Sequence, residues 1–99
     1  MNALERNQEV SVFIVDELSY KLPIAQVEKL RNLITEEWFS AALLGIQWAT
    51  EQSIPLSRGA IKRMRDAEWG YANDTQKARI LFERAIELSS ARERELVPA

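Results

Sequence analysis

The sequence predicts an all-α fold, a compact bundle of four to five helices in a single domain. Along most of the chain, apolar residues recur at intervals of three and four, which is the period of a helix. Only three glycines and three prolines interrupt that pattern. The chain has 99 residues, of which 46% are apolar and 28% charged, and this is the composition of one folded domain spanning residues 1–99.

The first helix is predicted from about Asn2 to Lys21. Asn2, followed three residues later by Glu5, has the pattern of an N-terminal capping box. The run of β-branched and aromatic residues at 10–15 would also suit a strand. No other stretch of the chain offers a strand to pair with it, so a helix is preferred. Five residues share the side that is expected to face the core: Leu4, Ile14, Val15, Leu18 and Leu22.

A second helix is predicted to begin at Pro23, because proline suits the first turn of a helix. Its apolar positions can be drawn as one continuous face: Ile24, Val27, Leu30, Ile34, Trp38, Ala41, Ala42, Gly45, Trp48 and Ala49. This face allows a single helix to Gln52, whereas Thr35 followed by two glutamates could cap a new helix after a break at 34–36. Residues 38–48 are apolar nearly all round, which predicts the most buried helix, with both of its tryptophans in the core.

A further helix follows Pro55, which ends the preceding one. Ser57 is the expected N-cap, and the helix is predicted to extend to Tyr71. One side of it is expected in the core: Ala60, Ile61, Met64, Ala67 and Tyr71.

The last helix is predicted over about 75–93, after Gly70 and a turn at Asn73 and Asp74. Five of its residues are expected to face inward: Ala78, Leu81, Phe82, Ala85 and Leu88. Three are expected to face water: Arg79, Glu83 and Glu87. The tail 90–99 mixes charges of both signs and is expected to fray.

Four cations, Arg58, Lys62, Arg63 and Arg65, fall within eight residues of a chain whose net charge is -2. On a helical wheel Arg58, Lys62 and Arg65 lie within about 60° of Trp69, opposite the apolar side. The spacing of Arg65 and Trp69 would also allow a cation–π contact. One interpretation is a solvated face with Trp69 packed against a neighbouring segment. The other is a binding surface made of these four residues, because Arg and Trp are enriched where binding energy concentrates.

The stretch from Ala49 to Arg65 resembles the helix-turn-helix of bacterial transcription regulators. Residues 56–63, Leu-Ser-Arg-Gly-Ala-Ile-Lys-Arg, are similar to the start of a LysR-type recognition helix. The resemblance implies that Ala49 and Ile61 pack together and that the second helix lies in the major groove, with the three cations of the wheel facing DNA. Ser53 stands where the motif usually has a turn glycine, and Ala49 and Ile61 are further apart than the family pattern has them.

The residues give no pattern for catalysis, a cofactor or a metal. The chain contains no His and no Cys, so imidazole bases, thiolate nucleophiles and the common transition-metal ligands are excluded. Adjacent acids such as Asp16 and Glu17 point about 100° apart on a helix, and Glu83 and Glu87 share only an outer face. The isolated glycines form no phosphate-binding loop. A non-enzymatic protein is therefore expected.

The expected function is that of a small helical binding protein which docks on a larger protein as a regulator, inhibitor or adaptor. DNA binding through residues 57–69 is the alternative, and both interpretations leave room for a homodimer. No segment approaches the roughly 18 consecutive apolar residues of a membrane span. The N-terminus also lacks a basic start followed by an apolar stretch, so a cytoplasmic protein without membrane contact is expected.

Overall fold

Five helices and no strand make up the described part of the chain, as the sequence predicts. The computed structural model describes residues 2–69 and 76–96. Its helices are α1 (Ala3–Leu18), α2 (Ile24–Ile34), α3 (Trp38–Glu51), α4 (Arg58–Asp66) and α5 (Gln76–Leu96). All five contribute side chains to one shared apolar core. Within these ranges no helix combines the length and the apolar character that crossing a bilayer demands.

The helix α1 confirms two predictions. The side chain of Asn2 caps it, because Oδ1 accepts a hydrogen bond of 2.8 Å from the backbone N–H of Glu5. The β-branched run 10–15 is helical. On the inner side of α1, Ile14 and Leu18 are completely buried in the core. The helix ends at Leu18, earlier than predicted.

The helix α3 is central, as its nearly all-round apolar character predicts. It packs against α1, α2 and α5, and four of its residues are buried completely or nearly so: Ala41, Ala42, Ile46 and Ala49. At Gly45, side chains of α1 and α2 lie close against the backbone of α3. A Cβ added there would lie 3.1 Å from Leu18 Cδ1 and 3.2 Å from Leu30 Cδ1. Glycine therefore permits the close packing of three helices.

The predicted long second helix is interrupted, which selects the second of the two alternatives. α2 ends at Ile34, and Thr35 is its C-cap rather than the N-cap of the next helix. Glu37 takes the N-cap position of α3 without a side-chain hydrogen bond to the helix. Because of the interruption, α2 and α3 pack against each other.

Some residues of the predicted apolar faces are less buried than expected. Leu4 is 66% exposed and Ile24 is 78% exposed. Both lie in the first turn of their helices, and no other helix covers them there. Trp48 is half-buried and packs against the core. Trp38 is also half-buried. It is the first residue of α3, so no earlier turn of that helix lies beside it.

The helix α5 runs to Leu96, through most of the segment that the sequence predicts to fray. Its inner side is as predicted, since Leu81, Phe82 and Ala85 are buried and Leu88 is half-buried. The three residues predicted to face water, Arg79, Glu83 and Glu87, are exposed. The predicted turn at 70–74, the inward side chain of Ala78 and the inward Tyr71 lie outside what the structure describes.

Candidate functional site

A side chain of α1 fixes the start of α4. Ser57 caps this helix as predicted, because its Oγ accepts a hydrogen bond of 3.1 Å from the N–H of Ala60. The carboxylate of Glu17 accepts hydrogen bonds from both the N–H of Ser57, at 3.0 Å, and its hydroxyl. Lys21 Nζ lies 3.3 Å from the same carboxylate and donates to the carbonyl oxygen of Pro55 at 3.2 Å. These contacts attach the loop before α4 to the C-terminal end of α1.

The end of α4 comes earlier than predicted, at Asp66 instead of Tyr71. Glu68 has a φ of 50°, in the left-handed region. The N–H of Trp69 donates to the carbonyl of Met64 at 2.8 Å, and the N–H of Glu68 donates to that of Arg65 at 3.0 Å. This is a Schellman motif, which reverses the chain after the helix. The reversal takes Trp69 off the helical wheel.

Of the two interpretations of Trp69, the structure supports packing against a neighbouring segment, and the place of Trp69 in an exposed binding surface is wrong. Its side chain is completely buried. The indole Nε1 donates a hydrogen bond of 2.9 Å to Ser11 Oγ on α1. Its ring lies 5.1 Å from the ring of Phe39, centroid to centroid. Arg65 is exposed while the indole is completely buried, and no cation–π contact joins these two described residues, so Trp69 serves the core instead.

The fourth cation of the cluster, Arg63, is directed toward α1. Its guanidinium lies 4.3 Å from the centroid of the Phe13 ring, which is cation–π geometry. The charge that α4 presents on its other side therefore comes from Arg58, Lys62 and Arg65.

The three remaining predicted residues, Arg58, Lys62 and Arg65, line one open groove between α4 and α5. We call it the basic groove; its volume is about 500 Å³. The side chains that line it are Arg58, Ile61, Lys62, Arg65 and Asp66 from α4, with Ile86, Ser89 and Ser90 from α5. The cations are exposed and form one rim. Ile61 is buried and Ile86 half-buried, so apolar surface forms the floor.

Among its described lining residues, three cations and one carboxylate give the basic groove two net positive charges. Lys62 Nζ lies 3.8 Å from Asp66 Oδ2, but 78% and 71% of these side chains are exposed, so water screens the pair. Arg58 is the first residue of α4, where the helix dipole disfavours a cation. It is also a like-charge neighbour of Lys62, four residues on. Arg58 is therefore poorly placed to stabilise the helix, whereas Arg65 lies in the last turn, where the dipole favours a cation. All three cations are exposed and can meet an anion.

The α5 side of the groove is tied to the loop before α4. The buried hydroxyl of Ser89 donates a hydrogen bond of 2.8 Å to the carbonyl of Leu56. Ser90 belongs to the tail predicted to fray, and Ser89 lies just before it with no predicted role, so the α5 side of the groove is missing from the sequence prediction. The sequence signal for this side of the groove is Ile86, an apolar residue directly after the inward-facing Ala85. The sequence prediction assigns it neither to the inward side of the helix nor to the side facing water.

The helix packing implied by the resemblance to helix-turn-helix proteins is not present. α4 approaches α1 and α5, whereas the backbones of α3 and α4 stay apart, and Ala49 and Ile61 are both buried in the shared core. Ser53, with a φ of 57°, does have the left-handed conformation that a turn glycine would adopt. It ends α3 in a second Schellman motif, in which the N–H of Ile54 donates to the carbonyl of Ala49 at 2.7 Å.

Comparison of the chain with protein-family models, with curated proteins and with solved structures finds no match in any of the three. Among residues 2–69 and 76–96, no three acidic side chains gather as metal ligands would. The chemistry of the basic groove is therefore the basis for a functional proposal.

Proposed function

We propose that the protein is a small, non-enzymatic helical binding protein that docks on a larger protein through the basic groove. The observation that carries this proposal is the combination of three exposed cations with an apolar floor in one groove. Interfaces concentrate binding energy in arginines and in apolar anchors that fill pockets, and the groove offers both kinds of contact. Docking there would let the protein act as a regulator, inhibitor or adaptor of its partner.

DNA binding is the alternative, because the same cations could contact phosphates. Three features favour a protein. The isoleucine floor would make no favourable contact with a phosphate group. The carboxylate of Asp66, which also lines the groove, repels phosphates. The packing of α3 on α4 that would present a recognition helix is also missing from this fold.

Chemical groups in the groove agree with a binding role. The carboxylate of Asp66 is exposed beside Lys62, and the hydroxyl of Ser89 is engaged with a backbone carbonyl. The chain has neither His nor Cys to act as a base or nucleophile.

The test is a triple charge reversal, Arg58→Glu with Lys62→Glu and Arg65→Glu, made in a tagged protein. Proteins captured from an extract of the source cells are quantified for the wild type and the variant. We expect the variant to lose the partner that the wild type retains. Because the three side chains are exposed, helical content measured by circular dichroism should be unchanged.

A matched control reverses three exposed cations outside the groove: Lys29→Glu, Arg31→Glu and Arg84→Glu. It has the same net charge as the groove variant and should retain the partner. Equal capture by all three proteins would reject the groove as the docking site. A gel-shift measurement with mixed duplex DNA at low salt accompanies the capture. A DNA complex that the groove variant loses and the control keeps would replace the protein partner with DNA.

A further inference from the structure

The cations of the basic groove follow a helical repeat. Arg58, Lys62 and Arg65 are separated by four and then three residues, so they form one row along two turns of α4. At 1.5 Å per residue the row is about 10 Å long. A second helix lying along α4 repeats its own side chains with the same period. Carboxylates at positions i, i+4 and i+7 of that helix would meet all three cations together.

The floor of the groove suits a helix as well. Ile61 and Ile86 belong to neighbouring helices, and the space between two helices accepts the ridge of side chains from a third. An amphipathic helix binds such a groove by placing its apolar side chains on the floor. The volume of about 500 Å³ is on the scale of a pocket for a few side chains, which fits one segment better than a flat protein surface.

Charge specifies the polar side of that helix. The chain has 13 cations and 15 acids, yet three cations and one carboxylate are found among the described residues that line this groove. Carboxylates brought opposite the row would relieve the like-charge repulsion along α4. Two of the three cations are arginines, which bind carboxylates through two parallel hydrogen bonds.

We infer that the basic groove receives an acidic amphipathic helix of the partner protein, with carboxylates spaced by four and three residues beside an apolar stripe. This inference rests on the proposed function and specifies the segment of the partner that binds.

The test uses a synthetic probe, a capped and stapled helical peptide of fifteen residues. It carries Glu at positions i, i+4 and i+7 and Leu on the adjacent stripe; a matched peptide has Gln at the three Glu positions. Binding is measured by fluorescence anisotropy at low salt. We expect the Glu peptide to bind, and the Gln peptide or the groove variant to weaken binding roughly tenfold. Methyl NMR signals of Ile61 and Ile86 should shift, and that of Ile24 should stay in place.

Equal affinity for the Glu and Gln peptides, or binding that leaves Ile61 and Ile86 unchanged, would overturn the inference. Failure of the Glu peptide to bind, when charge reversal in the groove still abolishes capture of the cellular partner, would reject the acidic helix and leave the proposed function standing. Equal capture by the groove and control variants would instead reject the proposed function.

A second copy of the chain is the competing occupant, because α1 has its own exposed acids at Glu5, Glu9 and Asp16. The mass of the protein alone is therefore measured by sedimentation at low and high salt. A monomer at both salt concentrations supports a separate partner. A salt-sensitive dimer that the groove variant cannot form would overturn the inference in favour of self-association.

Discussion

Trp69 and Ser11 are joined by a hydrogen bond of 2.9 Å, indole N–H to hydroxyl, and both side chains are completely buried. The bond connects α1 to the turn after α4. One turn earlier in α1, the amide nitrogen of Asn7 donates to the carbonyl of Ala67 at 3.4 Å. These two contacts hold the end of α4 against α1, and the basic groove lies along the other side of α4.

Replacing Ser11 with alanine should lower the free energy of unfolding by about 1–3 kcal/mol, because the indole N–H of Trp69 would stay buried without its acceptor. Urea unfolding followed by circular dichroism measures the change. Ser40→Ala, at an exposed position of α3, is the control and should stay within about 0.5 kcal/mol of the wild type. Equal stability of the two variants would mean that the hydrogen bond contributes nothing.

Glu17→Ala should destabilise the protein by about 1–2 kcal/mol, because Ser57 loses the acceptor for both its N–H and its hydroxyl. Thermal unfolding gives the stability, and hydrogen exchange of the Ser57 amide should accelerate. Asp16→Ala removes a neighbouring exposed carboxylate and should have little effect on either measurement. If both variants unfolded alike, the contact between α1 and the start of α4 would have no energetic role.

Gly45→Ala and Gly59→Ala should have opposite effects. At Gly45 the added Cβ would press on Leu18 and Leu30, and overpacking of about 1–3 kcal/mol outweighs the better helix propensity of alanine. At Gly59 the nearest atom to an added Cβ is Ser57 Oγ at 3.8 Å, so alanine should stabilise by up to about 1 kcal/mol. Melting temperatures check both. A more stable Gly45→Ala protein would show that α1 and α2 can move apart without loss.

Glycine at either left-handed position should stabilise the fold. Ser53 and Glu68 have φ values of 57° and 50°, where a side chain is strained. Ser53→Gly and Glu68→Gly should each raise the free energy of unfolding by about 0.5–1 kcal/mol in urea titrations. Gln52→Gly, at a φ of -95°, is the control and should be destabilising. A loss of stability in all three would mean that backbone strain is negligible at these turns.

Periodicity predicts the helices well, because core-facing residues recur every three or four positions in a helix, regardless of which other helices pack against it. Periodicity does not predict whether the neighbouring helices reach far enough to cover each residue of an apolar face. Leu4 and Ile24 therefore belong to apolar faces and are still exposed. The interruption at 35–37 is compatible with the sequence but not required by it, since the apolar face continues in phase across it.

The candidate site could be predicted only in part. Helical spacing correctly places Arg58, Lys62 and Arg65 in one row, because all three lie within α4. Trp69 would belong to the same row if the helix continued, but Glu68 takes the left-handed conformation without a glycine to signal it. Glu17 and Ser57 are 40 residues apart, and no local pattern connects them.

The attachment of α1 to the turn after α4 has a consequence for synthesis of the chain. α1 is translated before the turn it contacts, and its buried Asn7 and Ser11 find partners 60 and 58 residues later. Closing so long a segment costs conformational entropy, which slows folding relative to bundles of successive hairpins. On the ribosome, α1 and α3 can pack together early, and the contact with α4 forms only after Trp69 has emerged. The nascent chain therefore leaves the polar groups of Asn7 and Ser11 without these partners until α4 and the turn after it have been made.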